Sequence, residues 1–196
     1  MLGSETTALI LAGGRATRFG GIAKHELVVD GERIFDRQVS VLAPRVSRII
    51  VSSQHAIAGY TTVADAVPDG GPLAGIAAGL AAVTTPWLLV VAGDMPYLTG
   101  AVIDLVLGRI QACDDGVGIE IDGLPQPLIC ALRCEAARPA LARMLETDQR
   151  KASRLLTDAG LTIRWLAEPD LRAVDPTLRS LGNVNAPGDL MGVPGR

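Results

Sequence analysis

The protein is a chain of 196 residues with a formal net charge of -3 at pH 7, an apolar share of 48% and only 3% aromatic residues. This length fits one domain with a substantial core, so we predict a single domain over residues 1–196 whose core consists of aliphatic side chains. The negative net charge gives no general attraction for a phosphate backbone, which argues against nucleic acid as a partner.

The N-terminus and the apolar runs give no sign of export or of a membrane. Residues 1–7 lack a basic region followed by a long apolar stretch, and no run approaches the ~20 apolar residues that span a bilayer. The three cysteines, Cys113, Cys130 and Cys134, lack the spacing of a metal site, and we expect them to be buried free thiols. We therefore predict a cytoplasmic protein with no membrane partner.

Short strand-like runs alternate with segments of helical spacing, which is typical of an α/β fold. We predict strands at 7–12, 48–52 and 87–92, and helices at 34–42, 73–83, 99–110 and 135–146. Asp122 and Gly123 predict a β-hairpin turn between two extended segments. The expected fold class is a three-layer α/β/α, Rossmann-like domain with a mixed, mostly parallel sheet.

The first predicted strand leads into a glycine-rich loop that carries several cations. Its residues are Leu11, Ala12, Gly13, Gly14, Arg15, Arg18 and Lys24. The glycines would let backbone N–H groups approach a phosphate closely, and Arg18 and Lys24 would neutralise a triphosphate. A surface loop whose glycines only turn the chain explains the same residues, and the spacing fits neither the P-loop nor the dinucleotide fingerprint. The loop by itself leaves both interpretations open.

A second glycine-rich segment, Gly70 to Gly75, leads into a helix of small residues. Such a helix start brings backbone N–H groups close to a phosphate or a flat ligand. Tight packing of the helix on the sheet explains the same glycines and alanines, and both interpretations are compatible.

The third predicted strand is fully apolar and ends abruptly at Asp94. Ligands of open α/β sheets bind beyond the carboxyl ends of the strands, and Mg²⁺ takes one or two carboxylates together with phosphate oxygens and water. A turn or helix-cap aspartate is the alternative. We favour a metal site because, in a parallel sheet, Asp94 would face the glycine-rich loop.

The remaining polar positions are less specific. His25 and His55 have no partner at an informative spacing, so a solvated or structural role is favoured over a catalytic one. Lys151 and Arg154 belong to a small basic cluster that suits either a solvated helix face or a substrate phosphate. Asn183 and Asn185 alternate on an extended segment, so simple geometry lets at most one of them reach a cleft.

Together, these motifs resemble the molybdenum cofactor guanylyltransferase family within the nucleotidyltransferases of GT-A-like fold. The resemblance covers nearly the whole chain. It depends on Leu11-Ala12-Gly13-Gly14, Arg18, Lys24, Gly71-Pro72-Leu73-Ala74-Gly75, Gly93-Asp94-Met95-Pro96, Gln126-Pro127-Leu128 and Asn183-Val184-Asn185.

The resemblance implies roles for individual residues. Lys24 and Asp94 would be catalytic, Lys24 by contacting the phosphates and Asp94 by binding Mg²⁺. The nucleotide side would consist of Leu11, Ala12, Gly13, Gly14, Arg18, Lys24, Ser52, Asp65, Gly71 and Asp94, with Asp69 in reserve for Asp65 as the residue that recognises guanine. The pterin side would include Gln126, Lys151, Arg154 and Asn185.

The activity that the resemblance implies is transfer of GMP from GTP to the terminal phosphate of molybdopterin or the molybdenum cofactor, with release of pyrophosphate. A molybdoenzyme or a cofactor-delivery protein would be a further partner. Gly13-Gly14 and Met95 resemble the guanylyl branch rather than the cytidylyl branch. A molybdopterin cytidylyltransferase and a nucleotide-sugar pyrophosphorylase stay open as alternatives.

Two positions depart from the family pattern, because Ala23 stands where the family usually has Asp and Phe19 replaces a usual Met. Ala23 precedes the loop lysine, so it bears on how the phosphates are positioned. It keeps open a further alternative, a non-catalytic nucleotide-binding paralogue.

Overall fold

In a computed structural model, the chain is described over residues 2–13, 24–64, 70–147 and 151–184. These residues form ten strands and six α-helices. The strands are β1 (Thr6–Leu11), β2 (Val28–Val29), β3 (Glu32–Arg33), β4 (Arg48–Ser52), β5 (Thr61–Val63), β6 (Trp87–Ala92), β7 (Gly116–Ile121), β8 (Leu124–Pro125), β9 (Ile129–Arg133) and β10 (Ile163–Ala167). The helices are α1 (Ile34–Leu42), α2 (Gly71–Ala82), α3 (Gly100–Gly108), α4 (Cys134–Glu146), α5 (Ser153–Thr157) and α6 (Glu168–Arg172).

One sheet dominates the described part of the chain. Its strand order is β10-β7-β9-β6-β1-β4-β5, with β8 paired to β7. The strands β5, β4, β1 and β6 are parallel, β9 is antiparallel to both β6 and β7, and β10 is parallel to β7. The prediction of a mixed, mostly parallel sheet is confirmed.

Helices cover both faces of this sheet, which gives the predicted three layers. One core lies between the sheet and α1, α3 and α6, and the other lies between the sheet and α2, α4 and α5. All six residues of β6 are buried, because this central strand has a helix layer on each face. The cores are largely aliphatic, as the composition predicted.

Two hairpin turns have the same backbone geometry. Asp122 and Gly123 join β7 to β8 with φ angles of 51° and 72°, and Asp30 and Gly31 join β2 to β3 with 52° and 81°. Two consecutive positive φ angles are the mark of a type I′ turn, which Asp-Gly pairs favour. The turn at Asp122 confirms its prediction, whereas the one at Asp30 was not predicted although it carries the same signal.

The small residues of α2 let the helix lie close to the sheet. A Cβ atom on Gly79 would lie 2.5 Å from Cδ2 of Leu9 in β1. The interpretation of this segment as tight helix-on-sheet packing is therefore confirmed at Gly79.

Within the described residues, no helix has the length and apolar character needed to cross a membrane. All three cysteines are free thiols. Cys130 and Cys134 are buried as predicted, but burial of Cys113 was a wrong prediction, because this residue lies in the exposed connection between α3 and β7.

Candidate functional site

Three parallel strands end at the same level of the sheet. Leu11, the last residue of β1, is in register with Ser52 of β4 on one side and with Ala92 of β6 on the other. The backbone continues this pairing beyond the strands, since the Ala12 N–H donates to the Ser52 carbonyl at 2.9 Å and the Gly93 N–H donates to the Leu11 carbonyl at 2.9 Å. The first glycine-rich segment and the Asp94 segment therefore meet at one edge.

The approach of these two segments requires glycine at position 93. A Cβ atom there would lie 2.7 Å from the carbonyl oxygen of Leu11 and 3.2 Å from Cα of Ala12. Both neighbours are backbone atoms, which cannot move aside as a flexible side chain can. Gly93 thus lets β6 deliver Asp94 directly beside the end of β1.

Asp94 lies in a turn formed by residues 92–95, which we name the Asp94 turn. Its side chain is partly buried, while Ala92 and Met95 at the two ends of the turn are buried. The Ala92 N–H donates to the carbonyl of Leu128 at 2.9 Å, and the Val184 N–H donates to the carbonyl of Asp94 at 2.9 Å. Leu128 and Val184, one from each of the two last motifs of the sequence analysis, thereby contact the Asp94 turn.

Gln38 of α1 also contacts this turn, and the sequence reasoning missed it. Its Nε2 donates to the Ala92 carbonyl at 2.7 Å and to the Met95 carbonyl at 3.2 Å. The available signal was a polar residue between the apolar residues of α1, where the structure buries Gln38 and leaves Val39 only partly buried.

The residues of the first glycine-rich loop are described only in part. Gly13 is exposed at the end of the first described segment, whereas Gly14 and Arg18 lie outside the described residues. Lys24 begins a 3-10 turn that spans Lys24–Glu26. The turn lies beside the end of β1, since the side chain of His25 hydrogen-bonds to the backbone of Ala12.

His25 has the structural character that the sequence suggested. It is 7% exposed and packs edge-on against Phe35, with 5.9 Å between the ring centroids. Burial lowers the pKa of this imidazole because it disfavours the charged form. A neutral His25 therefore holds the Lys24–Glu26 turn against β1 rather than adding a charge to the site.

The other proposed nucleotide residues lie at the same edge where they are described. Ser52 is buried at the end of β4, in register with Leu11. Gly71 begins α2 with a φ of 67°, a left-handed conformation that favours glycine. Asp65 and the reserve Asp69 lie outside the described residues.

The residues predicted for the pterin side belong to different elements where they are described. Gln126 is partly buried between β8 and β9, where its backbone N–H donates to the carbonyl of Ile119 at 2.8 Å. Lys151 and Arg154 are exposed at α5, and Arg154 pairs with Asp158 at 3.4 Å. Asn185 lies outside the described residues.

The Asp94 carboxylate at this edge is a donor of the kind that a magnesium ion accepts. In the described part of the chain, no group of three or more His, Cys, Asp or Glu side chains could hold a metal. Mg²⁺ needs no such group, since it binds through one or two carboxylates and completes its shell with phosphate oxygens and water. Among the described residues, the carboxylate of Asp94, beyond the buried strand β6 and beside the end of β1, meets that requirement.

Comparison with known sequences gives consistent matches. A family model described as the MobA-like NTP transferase domain matches residues 8–163. A probable molybdenum cofactor guanylyltransferase from Natronomonas pharaonis is 32% identical in an alignment that covers 95% of this chain and 95% of the relative. One from Chloroflexus aggregans is 34% identical and covers 94% of this chain and 91% of its own.

Solved structures share the fold. Molybdopterin-guanine dinucleotide biosynthesis protein A from Archaeoglobus fulgidus superposes with a TM-score of 0.77 at 24% identity, covering 94% of this chain and 95% of the other. The 4-diphosphocytidyl-2C-methyl-D-erythritol synthase from Anaerococcus prevotii superposes with a TM-score of 0.71 at 12% identity, covering 96% and 94%. At these identities the likeness shows the fold.

Proposed function

The chain belongs to the family of MobA-like NTP transferases, and from this premise we propose that it transfers GMP from GTP to the terminal phosphate of molybdopterin or the molybdenum cofactor, releasing pyrophosphate. The observation that carries the proposal is the register of β1, β4 and β6, which brings Leu11, Ser52 and Asp94 to one edge of the sheet. Relatives named molybdenum cofactor guanylyltransferase align along almost the whole chain, which supports the choice of substrates.

On this proposal, the nucleotide lies along the ends of β1 and β4. Leu11, Ala12 and Gly13 contact the nucleotide through backbone that the strand ends hold in place. Gly14, Arg18, Lys24, Ser52, Asp65 and Gly71 complete this side. The acceptor enters from the side of Gln126, Lys151, Arg154 and Asn185, and the finished cofactor passes to a molybdoenzyme or a delivery protein.

The reaction needs no nucleophile from the protein. An oxygen of the acceptor phosphate forms a bond to the α-phosphorus of GTP, while the bond from that phosphorus to the oxygen bridging to the β-phosphate breaks and pyrophosphate leaves with the electron pair. A phosphate monoester is already anionic near neutral pH, so the chain's task is to align two polyanions and to offset their repulsion. Lys24 and Arg18 supply positive charge for this purpose.

We propose that Asp94 holds Mg²⁺ at the junction of the two substrates. The family typically uses a divalent metal, and the Asp94 carboxylate at the end of β6 suits magnesium. When bound, the ion supplies Lewis-acid stabilisation of charge on the phosphate oxygens. The Gly93 hydrogen bond to Leu11 and the Val184 hydrogen bond to Asp94 fix the backbone from which that carboxylate projects.

The substitution Asp94→Ala tests the site, and Asp104→Ala is its control. Asp104 is an exposed aspartate of α3 that pairs with Arg45 at 2.9 Å, away from the Asp94 turn. We expect Asp94→Ala to lower the turnover of GTP plus molybdopterin by at least about 100-fold, a typical loss when a group that stabilises transition-state charge is removed. Asp104→Ala should retain turnover close to the wild type.

Pyrophosphate release from GTP, CTP and ATP, each with and without molybdopterin, tests the reaction class and the nucleotide together. Release that requires both GTP and molybdopterin supports the proposal. Release with CTP would move the protein to the cytidylyl branch. GTP binding without any release would identify a non-catalytic paralogue and give weight to Ala23, which lies outside the described residues.

A further inference from the structure

Gln38 occupies a core position in α1. It has no exposed surface, and it shares the buried face of the helix with Ile34, Phe35 and Leu42. An amide in such a place loses its hydrogen bonds to water and is destabilising unless the protein replaces them. The contacts of Gln38 therefore show what the amide contributes.

Both contacts of the Gln38 amide go to the Asp94 turn. The Nε2 group donates to the Ala92 carbonyl at 2.7 Å and to the Met95 carbonyl at 3.2 Å. These two carbonyls lie on either side of Gly93 and Asp94 along the chain. One side chain thus ties together both ends of the turn from which the Asp94 carboxylate projects.

The carbonyl oxygen of the Gln38 amide shows that a contribution to stability does not by itself explain why a glutamine is buried at this position. Oε1 of Gln38 is buried and has no hydrogen-bond partner in the described part of the chain. A buried acceptor without a partner is destabilising, and this offsets much of the stability that the two donated bonds contribute. The two donated bonds nevertheless link Ala92 to Met95, on either side of Asp94.

We propose that Gln38 is a positioning residue that aims the Asp94 carboxylate at the metal ion. The inference rests on the proposed metal role of Asp94. Among the described residues, four hold the Asp94 turn: Leu11 through Gly93, Leu128 through Ala92, Val184 through Asp94, and Gln38. Of these four contacts, the one from Gln38 comes from a side chain, so it can be removed without changing the sequence of the turn itself.

The substitution Gln38→Met removes the donor and keeps a side chain of similar length. The probe is Mn²⁺ in place of Mg²⁺, with binding to the purified full-length protein in the presence of GTP followed by electron paramagnetic resonance. We expect Mn²⁺ binding to weaken about 10-fold, the lower end of the usual loss when a residue that orients a metal ligand is removed. Raising the Mg²⁺ concentration should restore most of the turnover.

Hydrogen exchange gives a readout that does not depend on the metal. In Gln38→Met, the backbone amides of the Asp94 turn should exchange faster than in the wild type, while the amides of β4 should not. Gln38→Leu serves as a second variant if the methionine protein does not fold.

The control variant is Leu42→Ala, which changes another fully buried residue of the same helix. It should lower the thermal unfolding midpoint, because it leaves a cavity in the core, and leave Mn²⁺ binding unchanged. Wild-type Mn²⁺ affinity in Gln38→Met would overturn the inference. So would a loss of affinity that follows thermal destabilisation equally in both variants, because Gln38 would then have only a structural role.

Asp94→Ala in the same series separates this inference from the proposed function. Wild-type Mn²⁺ binding in Asp94→Ala would refute the metal role of Asp94, and the role of Gln38 would fall with it. If Asp94→Ala loses binding while Gln38→Met retains it, the metal role stands and only the inference about Gln38 fails.

Discussion

A methyl group on Gly93 would lie 2.7 Å from the carbonyl oxygen of Leu11, which makes this residue a sensitive point of the candidate site. Gly93→Ala must separate β1 from β6 where the glycine-rich loop meets the Asp94 turn. We expect a destabilisation of about 1–3 kcal/mol, as for other overpacked positions, together with a clear loss of turnover. Urea unfolding and pyrophosphate release measure the two effects.

Gly108→Ala is the matched control at the residue scale. Gly108 ends α3, and a Cβ atom there would have no atom within 4 Å beyond its immediate surroundings. Alanine should stabilise such a site by about 0.5–1 kcal/mol. The argument for Gly93 would be wrong if its alanine variant were as stable and as active as Gly108→Ala.

At the scale of elements, α4 supports the carboxyl end of α2. Nε of Arg138 donates to the Leu80 carbonyl at 2.9 Å, and its Nη2 donates to the Val83 carbonyl at 2.7 Å. The last carbonyls of a helix have no partner within the helix, and a cation there also complements the helix dipole. Arg138 thus links two helices of one layer through the end of α2.

We expect Arg138→Ala to destabilise the protein by about 1.5–3 kcal/mol, the usual range for hydrogen bonds from a charged donor. Amide exchange in the last turn of α2 should rise more than in α1. Arg143→Ala, at an exposed position of the same helix α4, changes the same residue type and should leave both quantities near the wild type. Equal effects of the two substitutions would show that the hydrogen bonds from Arg138 to the end of α2 do not stabilise the protein.

A strand or helix could be predicted where the neighbouring residues in the sequence define it, and not where it depends on contacts with distant residues. The bounds of α1, β4 and β6 were predicted as the structure has them, because long apolar patterns and Pro44 define them. β5 and β10 were missed; they are the strands at the two edges of the sheet, where each pairs with one neighbour. Asp94 could be found because it ends an apolar strand, whereas Gln38 contacts carbonyls 54 and 57 residues away, and no local pattern encodes such a contact.

At the scale of the whole molecule, two arginine–aspartate ion pairs differ in burial, and burial changes how much such a pair contributes to stability. Asp114 accepts from Nε of Arg164 at 2.8 Å and from Nη2 of the same arginine at 3.1 Å, and it is 3% exposed. Arg33 and Asp36 have the same two-bond geometry, at 2.7 and 2.8 Å, but on the surface. Surface pairs contribute about 0–1 kcal/mol, so the two pairs should differ in their effect on global stability.

The hydrogen bonds from Arg164 hold the pKa of the Asp114 carboxyl below its usual value, with a further bond from the backbone of Gln111, and together they outweigh the effect of burial. A folded-state pKa below the unfolded one means that this stabilisation is complete above about pH 4, near the ordinary pKa of aspartate. It is lost as the pH falls from there through the folded-state pKa.

Asp114→Asn should therefore lower the free energy of unfolding by about 1.5–3 kcal/mol at pH 7, and its difference from the wild type should shrink below pH 4. Asp36→Asn should cost less than about 1 kcal/mol at pH 7. Urea unfolding at pH 7, 5 and 3.5 measures both. A difference for Asp114→Asn that stays constant down to pH 3.5 would show that the residue acts through packing rather than charge, because only the ionised carboxylate carries the pH-dependent part.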